Sequence, residues 1–271
     1  MKKHLSRAYL FLVFGILYIP ILTLILFSFN SKNSTASFEG FSLRWYIELF
    51  NSPDAFEALR NSLILAALSS LIATVIGTAA AEGIYKMKSK LAKTAVTSVT
   101  NIPMMNPDIV TGMSMMLFFV AVAGMLALDY EDIGFTAMLI SHVTFGLPYV
   151  ILSVLPRINE LGDSLSEAAL DLGCTPFQAF FKVKLPNIMP GVISGMIMAF
   201  TMSLDDFVIS YFVGSSNFQT LPLLIYSMTK KKVTPDMYAL STLIVITIFI
   251  MLVISNVKSG KKTPAKAGGK K

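Results

Sequence analysis

Six stretches of the chain stay apolar for long enough to cross a hydrocarbon core of about 30 Å, which takes about 20 residues of helix. They run from Ala8 to Phe29, Asn61 to Ala81, Pro107 to Leu126, Ile133 to Leu155, Ile188 to Val213 and Met237 to Val257. This pattern predicts an all-α, polytopic membrane protein with six transmembrane helices. The first stretch follows Lys2, Lys3 and Arg7 as a signal peptide would, but its apolar run is longer than an h-region. It ends in Phe27-Ser28-Phe29-Asn30 with no small-residue cleavage site, so an uncleaved anchor is expected. No internal repeat or Gly/Ser linker divides the chain, and residues 1–257 read as one membrane domain.

Composition sharpens the picture. Of 271 residues, 54% are hydrophobic and 14% charged, and the mean hydropathy is +0.68; a soluble domain carries about 25% charged residues. A disordered chain is excluded. The single Cys174 allows no internal disulfide, which removes a disulfide scaffold, and its polar surroundings make it a small filler rather than a nucleophile. A formal charge of +6 would fit nucleic acid, yet no basic face with interleaved aromatics is present, so no nucleic-acid partner is expected.

The basic residues instead orient the chain. Lys and Arg accumulate in cytoplasmic loops, and with six spans drawn, 16 of the 22 fall on one side: Lys2, Lys3, Arg7, Lys86 to Lys93, Arg157, Lys182, Lys184 and the Lys of 258–271. Both termini are therefore expected in the cytoplasm. Lys230 to Lys232 run against the rule. The Lys-, Gly- and Pro-rich segment 258–271 reads as a disordered tail near anionic lipid.

The loop between the fourth and fifth stretches, residues 160–187, carries the most specific signal. Ser164 followed by Glu167 forms a capping-box pattern, Leu165, Ala168, Ala169 and Leu172 continue a helix, and Gly173 suits a left-handed stop. Thr175 and Pro176 then cap and start a second helix with Phe177, Phe180 and Phe181 on its apolar face, and Leu185-Pro186 is expected to end it. Such a knob suits insertion into a groove on a cytosolic partner.

Ionisable residues inside a bilayer are costly and default to functional hypotheses. Asp205 and Asp206 follow Ser203-Leu204 in the outer half of the fifth stretch. Neighbours on a helix differ by about 100°, so one carboxylate is expected to face a pathway and the other to be held by packing. Asp108 lies in Asn106-Pro107-Asp108, where Asn would cap and Pro start the third stretch. It fits either a helix-dipole contact or an anionic station nearer the cytoplasm. Carboxylates at different depths, with Trp45, Tyr46, Tyr149 and Tyr211, favour a cation with an apolar stem. Blander readings hold elsewhere: His142 as a hydrogen bonder between helices beside Ser141 and Thr144, the 16 Met as packing, Leu43 to Phe50 as an interfacial belt or an external mouth, and Glu82 with Lys86 as an ion pair.

Glu167-Ala168-Ala169, Gly173 and Leu185-Pro186 match the EAA loop of ABC-importer permeases, EAA-x3-G-x9-I-x-LP, with Val183 where Ile is usual. Over nearly the full chain, Tyr18-Ile19-Pro20, Ser28-Phe29-Asn30-Ser31, Pro107-Asp108-Ile109-Val110, Ser141-His142-Val143-Thr144-Phe145, Ser203-Leu204-Asp205-Asp206 and Leu221 to Met228 resemble the PotC-type permeases of spermidine/putrescine importers. The resemblance implies the MetI-like fold and a polyamine as cargo. Permeases for other organic cations or iron complexes share part of the pattern. It further implies a heterodimer with a second, PotB-like permease in a bacterial plasma membrane, an ATPase dimer and an extracytoplasmic binding protein. Glu167, Ala168, Ala169, Asp171, Gly173, Leu185 and Pro186 would then couple to the ATPase, and Asp108, Ser203, Asp205, Asp206, Trp45 and Tyr211 would line the substrate pathway. No Walker A sequence occurs in the chain, so ATP and Mg belong to a partner and no cofactor or metal is expected here. Two other classes remain: a secondary transporter, for which inverted repeats are not evident, and an intramembrane aspartic hydrolase, which needs two carboxylates meeting across a gap.

Overall fold

The computed structural model describes residues 2–32, 37–215, 217–230 and 235–260, and among these it is helical, with one isolated bridge between Asn30 and Phe41. The tail 261–271, with Lys231 and Lys232, lies outside the described residues. In chain order the elements are α1 (Lys2–Phe27), α2 (Arg44–Asn51), α3 (Pro53–Lys86), α4 (Lys90–Met105), α5 (Asp108–Leu126) and α6 (Tyr130–Leu161). They continue with α7 (Ser164–Asp171), α8 (Pro176–Ala179), a π-turn (Phe180–Lys184), α9 (Leu185–Leu204), α10 (Val208–Val213), α11 (Leu221–Thr229) and α12 (Pro235–Gly260).

Each of the six apolar stretches is mainly helical, the fifth with a break at 205–207. Among the described residues five helices are long and apolar enough to cross a membrane, and Asp236–Ile250 of α12 forms a shorter apolar sixth. At 34 residues, α3 is about 51 Å long and outruns a hydrocarbon core, which is why its bounds exceed the predicted Asn61 to Ala81. One element was not foreseen: α4, capped by Ser89, whose hydroxyl accepts from the Ala92 amide at 3.3 Å. It ends at Asn106, driven extended (φ −80°, ψ 145°) by the following Pro107. Pro107, not Asn106, is therefore the cap residue of α5, and Asn106 closes α4.

The described residues pack as two compact units, those within 1–60 and 220–248 and those within 61–219 and 249–260. In the first, Leu49, Ala55, Ala58, Leu221 and Leu240 form a core, and the Trp45 indole donates to the Asn30 carbonyl at 2.6 Å. The apolar segment Tyr9–Phe27 of α1 is wholly unburied by this chain.

The second unit is built on α6 lying against α9. Ala73, Ala81, Val150, Ile151, Val154, Ile158, Ile188 and Val192 fill the layer between α3, α6 and α9, while Phe119, Ala137, Phe145, Ile209 and Val213 join α5, α6 and α10. Small residues permit the approach. Gly191 and Gly195 stand one turn apart on α9, a G-x-x-x-G spacing that lets helix backbones meet. A Cβ at Gly191 would sit 2.8 Å from the Ser153 carbonyl oxygen, and one at Gly195 3.0 Å from the Val150 Cα. These neighbours are backbone and cannot yield. Gly191→Val is expected to lower the melting temperature of the detergent-purified protein, at a cost of about 1–3 kcal/mol. Gly83→Ala, where an added Cβ meets nothing within 4 Å, is expected to leave it equal or slightly higher.

Candidate functional site

The fifth stretch is not one helix. Leu204 ends α9, residues 205–207 are irregular, and α10 restarts at Val208. The two aspartates therefore separate because the helix breaks, not because of their angular offset on a continuous one. Asp206 turns inward, its carboxylate accepting from the Ile209 amide at 3.3 Å and the Ser210 amide at 2.8 Å, where the N-terminus of α10 welcomes negative charge. Asp205, the residue closing α9, is exposed.

A buried polar chain holds the break in place. The His142 ring on α6 meets the Ser203 hydroxyl with Nδ1 at 2.7 Å and the Ser210 hydroxyl with Nε2 at 3.2 Å; Asp206 Oδ2 lies 3.5 Å from the same Nε2. Ser203 in turn bonds Ser69 of α3 at 3.0 Å. His142 and Asp206 expose only 2% and 7% of their side chains, so these bonds form in an apolar setting where each lost partner is costly. His142 is thus the hydrogen bonder between helices that its neighbours led one to expect, although Ser141 and Thr144 bond carbonyls of their own helix instead. Ser203, grouped with the pathway residues by sequence, is buried in this chain of bonds rather than on the open face.

On the exposed side, Tyr149 of α6 lies within electrostatic reach of both Asp108 and Asp205. Asp108 is exposed at the start of α5. Tyr149 stands about 18 Å along α6 from Leu161. Tyr211 is exposed on α10 with Phe207 and Phe212 rings 5.4 Å away. Along α4 and α5, Ile102, Pro103, Asn106, Val110, Thr111, Ser114, Met115 and Phe118 line a cavity of about 390 Å³. Trp45 is in the other unit and 6% exposed, its indole spent on Asn30.

The loop from α6 to α9 has its two helices and glycine joint. The joint is a Schellman motif: Gly173, at φ +86°, donates to the Leu170 carbonyl, and the Cys174 amide to that of Ala169. Thr175 and Gln178 form a reciprocal capping box with Pro176 at the first helical position. Two sequence readings do not hold. The Ser164–Glu167 box does not form, since Asp163 occupies the cap position and leaves Ser164 inside the helix. Leu185-Pro186 does not stop the second helix either. The π-turn Phe180–Lys184 widens the coil ahead of Pro186, so its ring and missing N–H are absorbed and α9 follows directly.

Glu167, Ala168, Asp171 and Gly173 are exposed, as are Leu172, Phe177 and Phe181, while Ala169 is buried and Leu185 packs on the α3–α6–α9 core. Beneath the knob, Glu82 pairs with Lys86 at 3.0 Å as predicted. It also pairs at 2.8 Å with Lys184, which was read only as a loop cation and is 3% exposed. Ser69, Ser210 and the Gly191/Gly195 pair likewise escaped sequence reading; the glycine spacing was the one legible signal.

A helix bundle apolar enough to span a membrane, with a broken span carrying charge and a capped helical knob at one end, has the architecture of a transport subunit. The family model described as "Binding-protein-dependent transport system inner membrane component" matches residues 73–258, and the chain belongs to that family of multi-pass membrane proteins. It is 37% identical over 260 residues to the spermidine/putrescine transport system permease protein PotC of Haemophilus influenzae, covering 96% of this chain and 98% of that one. The putrescine transport system permease protein PotI of Escherichia coli is 40% identical over 235 residues, 87% of this chain and 83% of that one. Among solved structures, a chain of a bacterial ABC transporter involved in importing the acidic polysaccharide alginate superposes with a TM-score of 0.76 at 17% identity, covering 97% of each chain. The fold is that of ABC-transporter permeases.

The different partners of the two aspartates make a stability prediction. His142→Phe and Asp206→Ala are each expected to cost about 1–3 kcal/mol by leaving buried groups unpaired, whereas Asp205→Asn stays within about 0.5 kcal/mol of wild type; thermal unfolding in detergent reads all three.

Proposed function

We propose that the chain is the permease subunit of an ABC importer that carries polyamines, spermidine or putrescine, into the cytoplasm. The observation that carries this reading is the exposed Asp205 at the helix break, with Tyr149 in reach of both it and Asp108. Two carboxylates and an aromatic face suit a cation with amines at both ends: each ammonium gains a charge-assisted hydrogen bond, and the ring offers a cation–π surface to the stem between them. The likeness to permeases named for spermidine and putrescine supports the same cargo.

In this reading the chain pairs with a second, PotB-like permease, and the pathway runs along the face bearing Asp108, Tyr149, Asp205 and Tyr211. An extracytoplasmic binding protein delivers the polyamine, and both termini lie in the cytoplasm. An ATPase dimer grips the knob formed by α7 and α8, with Glu167, Ala168, Asp171 and Gly173 at the contact and the exposed Leu172, Phe177 and Phe181 filling its groove. ATP-driven closure of that dimer pushes the knob, and the push travels into the fifth span because the π-turn joins α8 to α9 without a gap.

ATP-dependent uptake of labelled spermidine and putrescine into vesicles carrying the whole complex tests the cargo. Wild type is expected to accumulate at least one of them, and Asp205→Asn to reduce that uptake by about tenfold or more, the worth of one charge-assisted hydrogen bond. Wild-type complex that hydrolyses ATP in response to its binding protein but takes up neither amine would contradict the polyamine assignment. Gly173→Asp, which forces a side chain onto a φ of +86° at the contact face, is expected to abolish ATP-coupled uptake while membrane insertion stays normal; normal uptake would remove the coupling role of the knob.

A further inference from the structure

Lys184 is the last residue of the π-turn, directly ahead of α9, and 97% of its side chain is out of solvent. Its ammonium lies 2.8 Å from Glu82 Oε2 and 3.0 Å from Oε1, and 4.5 Å from the centre of the Tyr85 ring, both on the last turns of α3. The knob is thus fastened to α3 at its exit by Lys184, and Asp163, the residue that opens α7, lines the same cleft as Glu82. Around these contacts Glu82, Asp163, Glu167, Phe180 and Lys184 line a cleft of about 180 Å³.

A buried lysine is expensive, and an apolar pair of similar size is commonly as stable as a buried ion pair, so stability alone does not account for this one. Its position does. We infer that Lys184, Glu82 and Tyr85 form a clamp that makes the second span a direct recipient of the ATPase stroke, so that knob and α3 move together and the stroke reaches both α3 and α9. Lys184 acts as a positioning residue: it touches neither nucleotide nor cargo. This rests on the knob being the ATPase contact, and is indifferent to which solute is carried.

The experiment uses the complete importer in vesicles, with the cognate binding protein as purified from the cell. It records ATPase retention, basal ATP hydrolysis, and the stimulation of hydrolysis by the binding protein. Lys184→Met is expected to keep the ATPase bound and basal hydrolysis near wild type, and to lower stimulation about fivefold or more, the size of a typical coupling between distant sites. Because that variant leaves Glu82 with the exposed Lys86 as its one ion-pair partner, the double variant Glu82→Gln with Lys184→Met carries the argument: both buried charges are gone, insertion is normal, and stimulation stays low. The exchange Glu82→Lys with Lys184→Glu restores part of it. Wild-type stimulation in the double variant would overturn the clamp, showing the pair to be mere charge neutralisation. Failure of wild-type vesicles to take up polyamine would leave these readings intact and strike only at the cargo.

Discussion

The hydrogen-bonded chain Ser69–Ser203–His142–Ser210, with Asp206 accepting from the Ser210 amide, is the constraint on which the rest of the membrane site depends. A span that stops being helical part-way exposes backbone groups that lipid cannot satisfy. Here the break is tolerated because Asp206 feeds its own oxygens to the first amides of α10, while His142 of α6 and Ser69 of α3 hold the flanking serine hydroxyls in place. Once one carboxylate is committed in this way, its neighbour is left with the opposite face. The division of labour between Asp205 and Asp206 is a consequence of backbone accounting. It also disfavours the hydrolase alternative, since the oxygens of Asp206 are already spent.

The same second unit is tight at its centre and polar at its end. Gly191 and Gly195 let α9 approach α6 until backbone meets backbone, which makes the pair a stiff lever rather than two loosely sliding rods. At the other end, the π-turn joins the knob to α9 without a break, and the Lys184–Glu82 pair ties that junction to α3. A stiff centre with defined points of attachment is what a stroke originating outside the membrane needs if it is to reach Asp205, about 30 Å away along α9.

Much of this was legible in the residues. Apolar length located the six helices, and the Gly173, Thr175 and Pro176 signals located the knob, because caps and left-handed glycines obey local rules. The failures were those where a local rule met tertiary context. Ser164 lost the cap position to Asp163. Pro186 did not stop a helix because a π-turn upstream made room for it. α4 went unseen because its sequence lacks the long apolar run that marks a span, and none of its residues is buried. Ser203 stood beside the Asp pair and Trp45 among the aromatics suited to a cation, and both side chains are engaged in hydrogen bonds inside their own units. Partnerships across helices, such as Lys184 with Glu82, 102 residues apart, leave no periodic trace to read.

Accessibility of the two neighbouring carboxylate positions tests the central claim most directly. In a Cys174→Ser background, Asp205→Cys and Asp206→Cys would each be exposed to a charged, membrane-impermeant thiol reagent in vesicles carrying the assembled importer, with and without the spermidine-loaded binding protein and ATP. The account predicts that position 205 reacts and is protected by the loaded binding protein with ATP, while position 206, turned into the packing, reacts far more slowly in every condition. Equal reactivity at the two positions, or faster reaction at 206, would contradict it.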